Sequence, residues 1–237
     1  MFHFFKSKHK EKIEEEIIVP KKISYNIGFY QDELSEYFYL KELNDSVSDI
    51  AIINYNRRKE EYIVRNIGKP NERLIVCVGD IGKIQCDCVV NAARPSLLGG
   101  GGVDGAIHAA AGPELVEECK TLGGCDYGEA KITNAYNMRC KKIIHTVGPV
   151  WHGGDKNEAE LLKSAYTNSL KLAVENNLKT IAVPAISTGA YGYPLEDATK
   201  IELEVVMEFL DKYKDLIIVL IGNNSLFHLL QKEFCYN

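Results

Sequence analysis

From Arg73 onward, short apolar runs alternate with longer stretches of helical period. Leu74–Val78, Cys88–Asn91, Ile143–Val147, Thr180–Ala185 and Leu216–Ile221 are rich in Val and Ile. They are apolar at consecutive positions, the pattern of strands covered on both faces. Glu158–Asn176 instead carries Leu161, Leu162, Ala165, Tyr166, Ser169, Leu170, Ala173 and Val174 on one stripe of period 3.6. Asp197–Tyr213 repeats this with Ile201, Val205, Val206, Phe209, Leu210 and Tyr213, and the residues after Gly102 also read as helix. The alternation predicts a three-layer α/β/α domain with a mixed central sheet. Ligands of such sheets bind at the carboxyl ends of the strands. Asn91 ends one predicted strand and the loop Ser187–Tyr193 follows another, so both fall on that edge.

The first sixty residues are patterned differently and form an N-terminal extension, with the main domain spanning 61–237. Met1–Pro20 opens with interleaved Lys and Glu and reads as a frayed, solvated helix. Asp32–Leu43 carries Leu34, Tyr37, Phe38 and Tyr39 behind acidic residues, as a short amphipathic helix does. Glu61–Asn66 reads as a strand. Two roles fit the extension: packing onto the main domain, or a separate recognition segment.

Composition narrows the class. The 237 residues are 46% hydrophobic and 26% charged, enough to bury a core. The net charge of −5 lies wholly beyond residue 70: residues 1–70 hold 12 basic and 12 acidic residues, leaving 16 and 21. That balance argues against nucleic acid as a partner. No apolar run is long enough to span a bilayer and Met1–Lys12 lacks a signal-peptide core, so no membrane partner is expected. Seven scattered Cys point to a reducing, cytoplasmic setting. Cys86-x-Cys88 has the wrong spacing for a zinc knuckle, and no metal is expected.

The chemistry concentrates in Asn91–Gly112, NAARPSLLGGGGVDGAIHAAAG. Four glycines at the start of a helix expose backbone N–H groups at the positive end of its dipole, a way to hold a phosphate or diphosphate. A flexible turn, or close strand–helix packing, would use the same residues. Neither the dinucleotide fingerprint nor the Walker A pattern fits. Asp104 and, one turn later, His108 share a helix face beside this run. An anion bound there would make the Asp104 carboxylate a better base. Ser187-Thr188-Gly189-Ala190-Tyr191-Gly192 is a second glycine-containing loop after a strand, able to clamp the other side of a diphosphate. Charge-assisted bonds of that kind contribute about 1.5–3 kcal/mol each.

Six blocks occur in order: Val78–Ile81 (VGDI), Val89–Ala93 (VVNAA), Leu97–Gly112, Gly128–Thr133 (GEAKIT), Ile143–Trp151 and Val183–Pro194. Over roughly the last two-thirds of the chain they resemble the macrodomain family, in its MacroD-type branch. The resemblance implies the same α/β/α fold and ADP-ribose as ligand. It implies that the Asp80 carboxylate and the Ile81 N–H meet the adenine. Gly100, Gly101, Gly102 and Val103 on one side, and Ser187, Thr188, Gly189, Ala190 and Tyr191 on the other, would hold the diphosphate and distal ribose. Asp104 would activate water with a substrate phosphate oxygen. His108 would contact the ribose or stay structural, and Asn91 would brace the loop or touch the ribose. His145, within Ile143–Val147, reads as a packing residue or a local hydrogen-bond partner.

Two departures from the family pattern matter. Arg94 stands where the family usually has an asparagine that contacts the distal ribose. It can point to solvent, pair with a phosphate or crowd the cleft. After the last strand, relatives often carry an aromatic and an acidic residue, where this chain reads Leu220-Ile221-Gly222-Asn223-Asn224. Ile221 is left to cover one adenine face by apolar contact, Asn223 is a further ligand-binding candidate, and Phe227 is a substitute from the following helix. The implied activity is metal-free, cofactor-free hydrolysis of an ester at the distal ribose, with O-acetyl-ADP-ribose and proteins ADP-ribosylated on acidic side chains as substrates. The alternative is a reader module that binds ADP-ribosylated proteins without cleaving them. Asp104 favours the first and Arg94 the second.

Overall fold

The computed structural model of the protein describes residues 73–223 continuously, residues 225, 226 and 229, and the backbone of four strands before them. Those four are β1 (Ile17–Ile18), β2 (Gly28–Phe29), β3 (Ile50–Asn56) and β4 (Glu61–Asn66). Then follow β5 (Leu74–Val78), a 3-10 turn (Ile81–Lys83), β6 (Ile84–Gln85), β7 (Cys88–Ala92), α1 (Gly102–Ala111), α2 (Pro113–Thr121) and β8 (Ala130–Asn134). The chain continues through β9 (Lys142–Thr146), α3 (Glu158–Glu175), β10 (Thr180–Pro184), α4 (Leu195–Lys212) and β11 (Ile217–Gly222).

The main sheet runs β1-β4-β3-β5-β11-β10-β7-β9-β8. From β3 through β9 every neighbour is parallel, while β8 closes one edge antiparallel to β9. At the other edge β4 and β1 are antiparallel. The sheet is therefore mixed, as expected. The boundary expected at residue 60 falls inside the β3–β4 hairpin, both strands of which belong to this sheet. At Ile17–Ile18 the chain is a strand, where the sequence pattern predicted helix. The rest of Met1–Pro20, and Asp32–Leu43, lie outside the described residues.

The consecutive apolar strand positions divide by parity. Ile75, Val89, Ile143, Ala182 and Val219 face α1 and α2, which contribute Ile107, Ala111, Leu115 and Cys119. Leu74, Val76, Cys88, Val90, Ile144, Ile181, Val183, Ile218 and Leu220 face α3 and α4. Period-2 side chains on strands buried on both faces produce this three-layer packing directly. The short helix α2 escaped prediction because only Leu115 and Cys119 of its nine residues are buried, too few for a stripe. Among the described residues no helix is long and apolar enough to cross a membrane.

Candidate functional site

β5, β11, β10 and β7 are adjacent and parallel, so their carboxyl ends share one edge. The predicted site residues lie at these ends or follow them, with Asn91 next to last in β7. Asp80 and Ile81 come after β5, and Gly100–Val103 and Asp104 after β7. Ser187–Tyr191 comes after β10, while Ile221 is next to last in β11 and Asn223 follows that strand.

The loop from β7 to α1 is pinned at its middle. Leu97 is fully buried, its N–H donates to the Arg94 carbonyl at 2.9 Å, and the Pro95 carbonyl accepts from the Cys125 N–H at 2.8 Å. Gly101 then caps α1 without any side-chain bond, leaving the first N–H groups of the helix open. A Cβ on Gly101, Gly102, Gly189 or Gly192 would meet nothing within 4 Å. The two glycine loops thus present bare backbone to open space. The second loop is held by its own bonds. The Thr188 hydroxyl donates to the Ala185 carbonyl at 2.9 Å, and the Tyr193 N–H to the Ser187 carbonyl at 3.0 Å. Ser187 has φ +65°, and its buried hydroxyl has no partner. The Trp151 N–H donates to the Tyr191 carbonyl at 2.8 Å, tying this loop to the segment that follows β9. Burial, then the neighbouring Tyr127, push the Tyr191 phenol up, while Arg94 pulls it back.

Asp104 is 3% exposed, and the other groups around it are fixed more firmly than sequence alone suggested. Asn91 Nδ2 donates to Asp104 Oδ1 at 2.7 Å and lies 3.1 Å from His145 Nδ1. Asn91 and His145 are paired across β7 and β9, which brings their side chains together on the α1 face. His145 Nε2 lies 2.9 Å from Thr133 Oγ1, whose hydroxyl donates to the Asn134 carbonyl at 3.0 Å. His108 Nε2 comes within 3.3 Å of Asp104 Oδ1, off hydrogen-bond geometry. Asp104 Oδ2 is buried without a partner.

One set of directions satisfies this chain. A carboxylate only accepts, so the Asn91 amide must present N–H to Asp104. Its second N–H then faces His145 Nδ1, which must accept. The proton therefore sits on Nε2 and goes to Thr133. Burial, then His108, hold His145 far below its ordinary range, down to about 3, so the ring is neutral. His108, Cys119 and His145 have ligand atoms within 4.8 Å of one another, the spacing of a metal-binding group. The hydrogen bonds use both His145 nitrogens, and burial pushes the Cys119 thiol up to about 11. His145 as hydrogen-bonded leaves no nitrogen lone pair for an ion, so these three residues do not fit one as they stand, although both His108 ring nitrogens are buried without a partner.

The other predicted contacts divide. Asp80 is exposed and its Oδ1 caps the 3-10 turn by accepting from the Gly82 N–H at 2.9 Å. Ile81 is 5% and Ile221 2% exposed, in one core cluster, so the backbone of the first and the packed bulk of the second form this end of the cleft. Asn223 Oδ1 accepts from Ser225 and Leu226 N–H at 3.0 and 3.2 Å, and so caps the turn that follows. Phe227 lies outside the described residues. Arg94 is exposed and leans across Gly100. A Cβ there would stand 2.8 Å from both Arg94 Nε and Asp104 Oδ2. Arg94 therefore stands over the glycine loop while remaining exposed. The guanidinium occupies the glycine loop next to Asp104.

A family model of the Macro domain matches residues 90–202. Over 159 residues the chain is 58% identical to a macro domain-containing protein of Methanosarcina mazei, covering 67% of this chain and 84% of that one. The chain belongs to the macrodomain family. It is also 56% identical over 149 residues to a Klebsiella pneumoniae protein named O-acetyl-ADP-ribose deacetylase, covering 61% of this chain and 85% of the relative. A Trypanosoma brucei macrodomain solved in complex with ADP-ribose is 37% identical, with a TM-score of 0.63 and 68% of each chain covered. The macrodomain residues that sequence reasoning passed over are Thr133 and Cys119. Thr133 lay inside the recognised block Gly128–Thr133, yet nothing in the sequence joined it to His145 or Asn91.

Proposed function

We propose that this macrodomain binds ADP-ribose across its two glycine loops and hydrolyses an ester at the distal ribose. Its substrates are O-acetyl-ADP-ribose and proteins ADP-ribosylated on Asp or Glu. Water adds across the ester bond, so ADP-ribose and a carboxylic acid leave. The observation that carries this reading is Asp104: one oxygen pinned by Asn91 and the other buried, unpartnered and beside Gly100. A carboxylate so placed can orient a water and take its proton, with a phosphate oxygen of the substrate completing the water's contacts. The open N–H groups at the α1 start and the 187–192 loop supply the diphosphate contacts.

Arg94 favours the second reading, a module that reads ADP-ribosylated proteins, because its cation lies beside the carboxylate that would act as base. One experiment separates the two. The protein is incubated with O-acetyl-ADP-ribose and, separately, with a glutamate-ADP-ribosylated protein. Released ADP-ribose is measured by mass spectrometry, and ADP-ribose affinity by calorimetry. Release supports the hydrolase. Binding without release identifies a reader. No binding overturns both.

A further inference from the structure

On the face of the sheet covered by α1 and α2, three polar residues stand where the neighbouring strand positions carry Val, Ile and Ala. They are Asn91, Thr133 and His145, each at most 1% exposed. Removing three polar groups from water is costly unless each finds a partner. These three find one another, in a single direction: Asn91 N–H to His145 Nδ1, His145 Nε2–H to Thr133, and the Thr133 hydroxyl to the Asn134 carbonyl, with only Asn91 Oδ1 among them left buried and unpartnered. The free end of the line is the second Asn91 N–H, on Asp104 Oδ1.

We propose that His145 and Thr133 are positioning residues for the hydrolysis. They fix the imidazole tautomer that orients the Asn91 amide, and the amide holds Asp104 with Oδ2 free beside the glycine loop. This rests on the reading of Asp104 as the carboxylate that handles the water. Neither His145 nor Thr133 touches the ligand. Their action is relayed to Asp104 through hydrogen bonds, two from His145 and three from Thr133.

The relay has a definite failure mode. If Thr133 no longer accepts, Nε2 keeps only the long 3.8 Å contact with Cys119 Sγ, and the imidazole is free to carry its proton on Nδ1. That N–H then faces the Asn91 N–H, and the amide must turn over. Its carbonyl oxygen would lie 2.7 Å from Asp104 Oδ1, where Nδ2 now sits. Two acceptors at that distance repel, and the carboxylate either shifts or keeps a proton. The other charged or titratable groups around Asp104 remain in place. They are His108 on α1, Cys119 on α2, Arg94 on the β7–α1 loop and Tyr191 on the β10–α4 loop. His145 itself stays neutral, because burial opposes its protonation.

The test uses the full chain with O-acetyl-ADP-ribose. Thr133→Val keeps the shape and removes the acceptor, while Thr133→Ser keeps the hydroxyl. Thr133→Val should lower kcat about 10-fold or more, with KM and the ADP-ribose Kd within about twofold. The acid limb of its kcat–pH profile should move to higher pH. Thr133→Ser should restore kcat to within about threefold of the parent. In the unaltered protein, 15N NMR should show His145 Nδ1 as the bare nitrogen and Nε2 as the protonated one. The reverse tautomer, or a folded Thr133→Val with unchanged kcat and pH profile, overturns the relay. Asp104→Asn run in parallel separates the two ideas. Full activity there removes the role of Asp104 itself, whereas an inactive Asp104→Asn with an unaffected Thr133→Val removes only the relay.

Discussion

Gly101→Glu asks whether the glycine run binds an anion or only turns the chain. The backbone at Gly101 is extended, φ −109° and ψ −179°, a conformation any residue adopts. A Cβ there meets nothing within 4 Å. The substitution therefore leaves the fold intact. A carboxylate at the start of α1 should even raise stability by about 0.3–1 kcal/mol through the helix dipole. Ligand binding should respond in the opposite sense. The side chain projects from the loop whose open N–H groups are assigned to the diphosphate, and it carries the same sign of charge. Losing two charge-assisted bonds of about 1.5–3 kcal/mol each removes roughly 3–6 kcal/mol. That weakens the ADP-ribose Kd by roughly 10²–10⁴-fold. Calorimetry gives the Kd and a thermal melt without ligand gives the stability. A variant that melts at or above the parent temperature and has lost binding is the expected result. A Kd within threefold of the parent would refute the reasoning, since the run would then be a turn with no part in holding the ligand.

Asp104→Ala should cut ester hydrolysis by roughly 100-fold or more while leaving ADP-ribose affinity equal or tighter, measured by release assay and calorimetry. Arg94→Asn takes a cation away from the carboxylate, so turnover should be at or above the parent's with little change in Kd. A dead enzyme would make Arg94 part of the chemistry. Glu202 is buried beside Tyr166, and burial pushes its carboxyl up to about 8. In the unfolded chain it ionises in the ordinary carboxylate range. The stability tied to its neutral form is fully present below that range and is lost as pH rises through about 8. Melting temperatures from pH 5 to 9 should therefore fall for the parent and stay flatter for Glu202→Gln. Parallel curves would show that Glu202 is not the group responsible.

By itself, the sequence determined the layers and the location of the chemistry. Consecutive Val and Ile positions require cover on both faces of a strand, so they imply helices above and below the sheet and an open edge at the strand ends. The five strands predicted after Arg73 and both long helices agree with β5, β7, β9, β10, β11, α3 and α4 to within about two residues. The glycine runs and the i, i+4 pair Asp104–His108 were legible because backbone exposure and helix geometry are local properties.

What the tertiary structure alone decided is how the polar groups are shared. Strand β8 and helix α2 carry weak patterns, and they bring Thr133 and Cys119 to the site. Asn91 and His145 are 54 positions apart and meet only because β7 and β9 pair in parallel with that register. Arg94 could be flagged from sequence, yet its lean toward Gly100 is visible only in the folded loop, where Leu97 is buried and bonded to the Arg94 carbonyl. Hydrophobic period encodes which face of an element is buried. It carries no information on which element lies across that face, so it cannot say which buried polar side chains will satisfy one another.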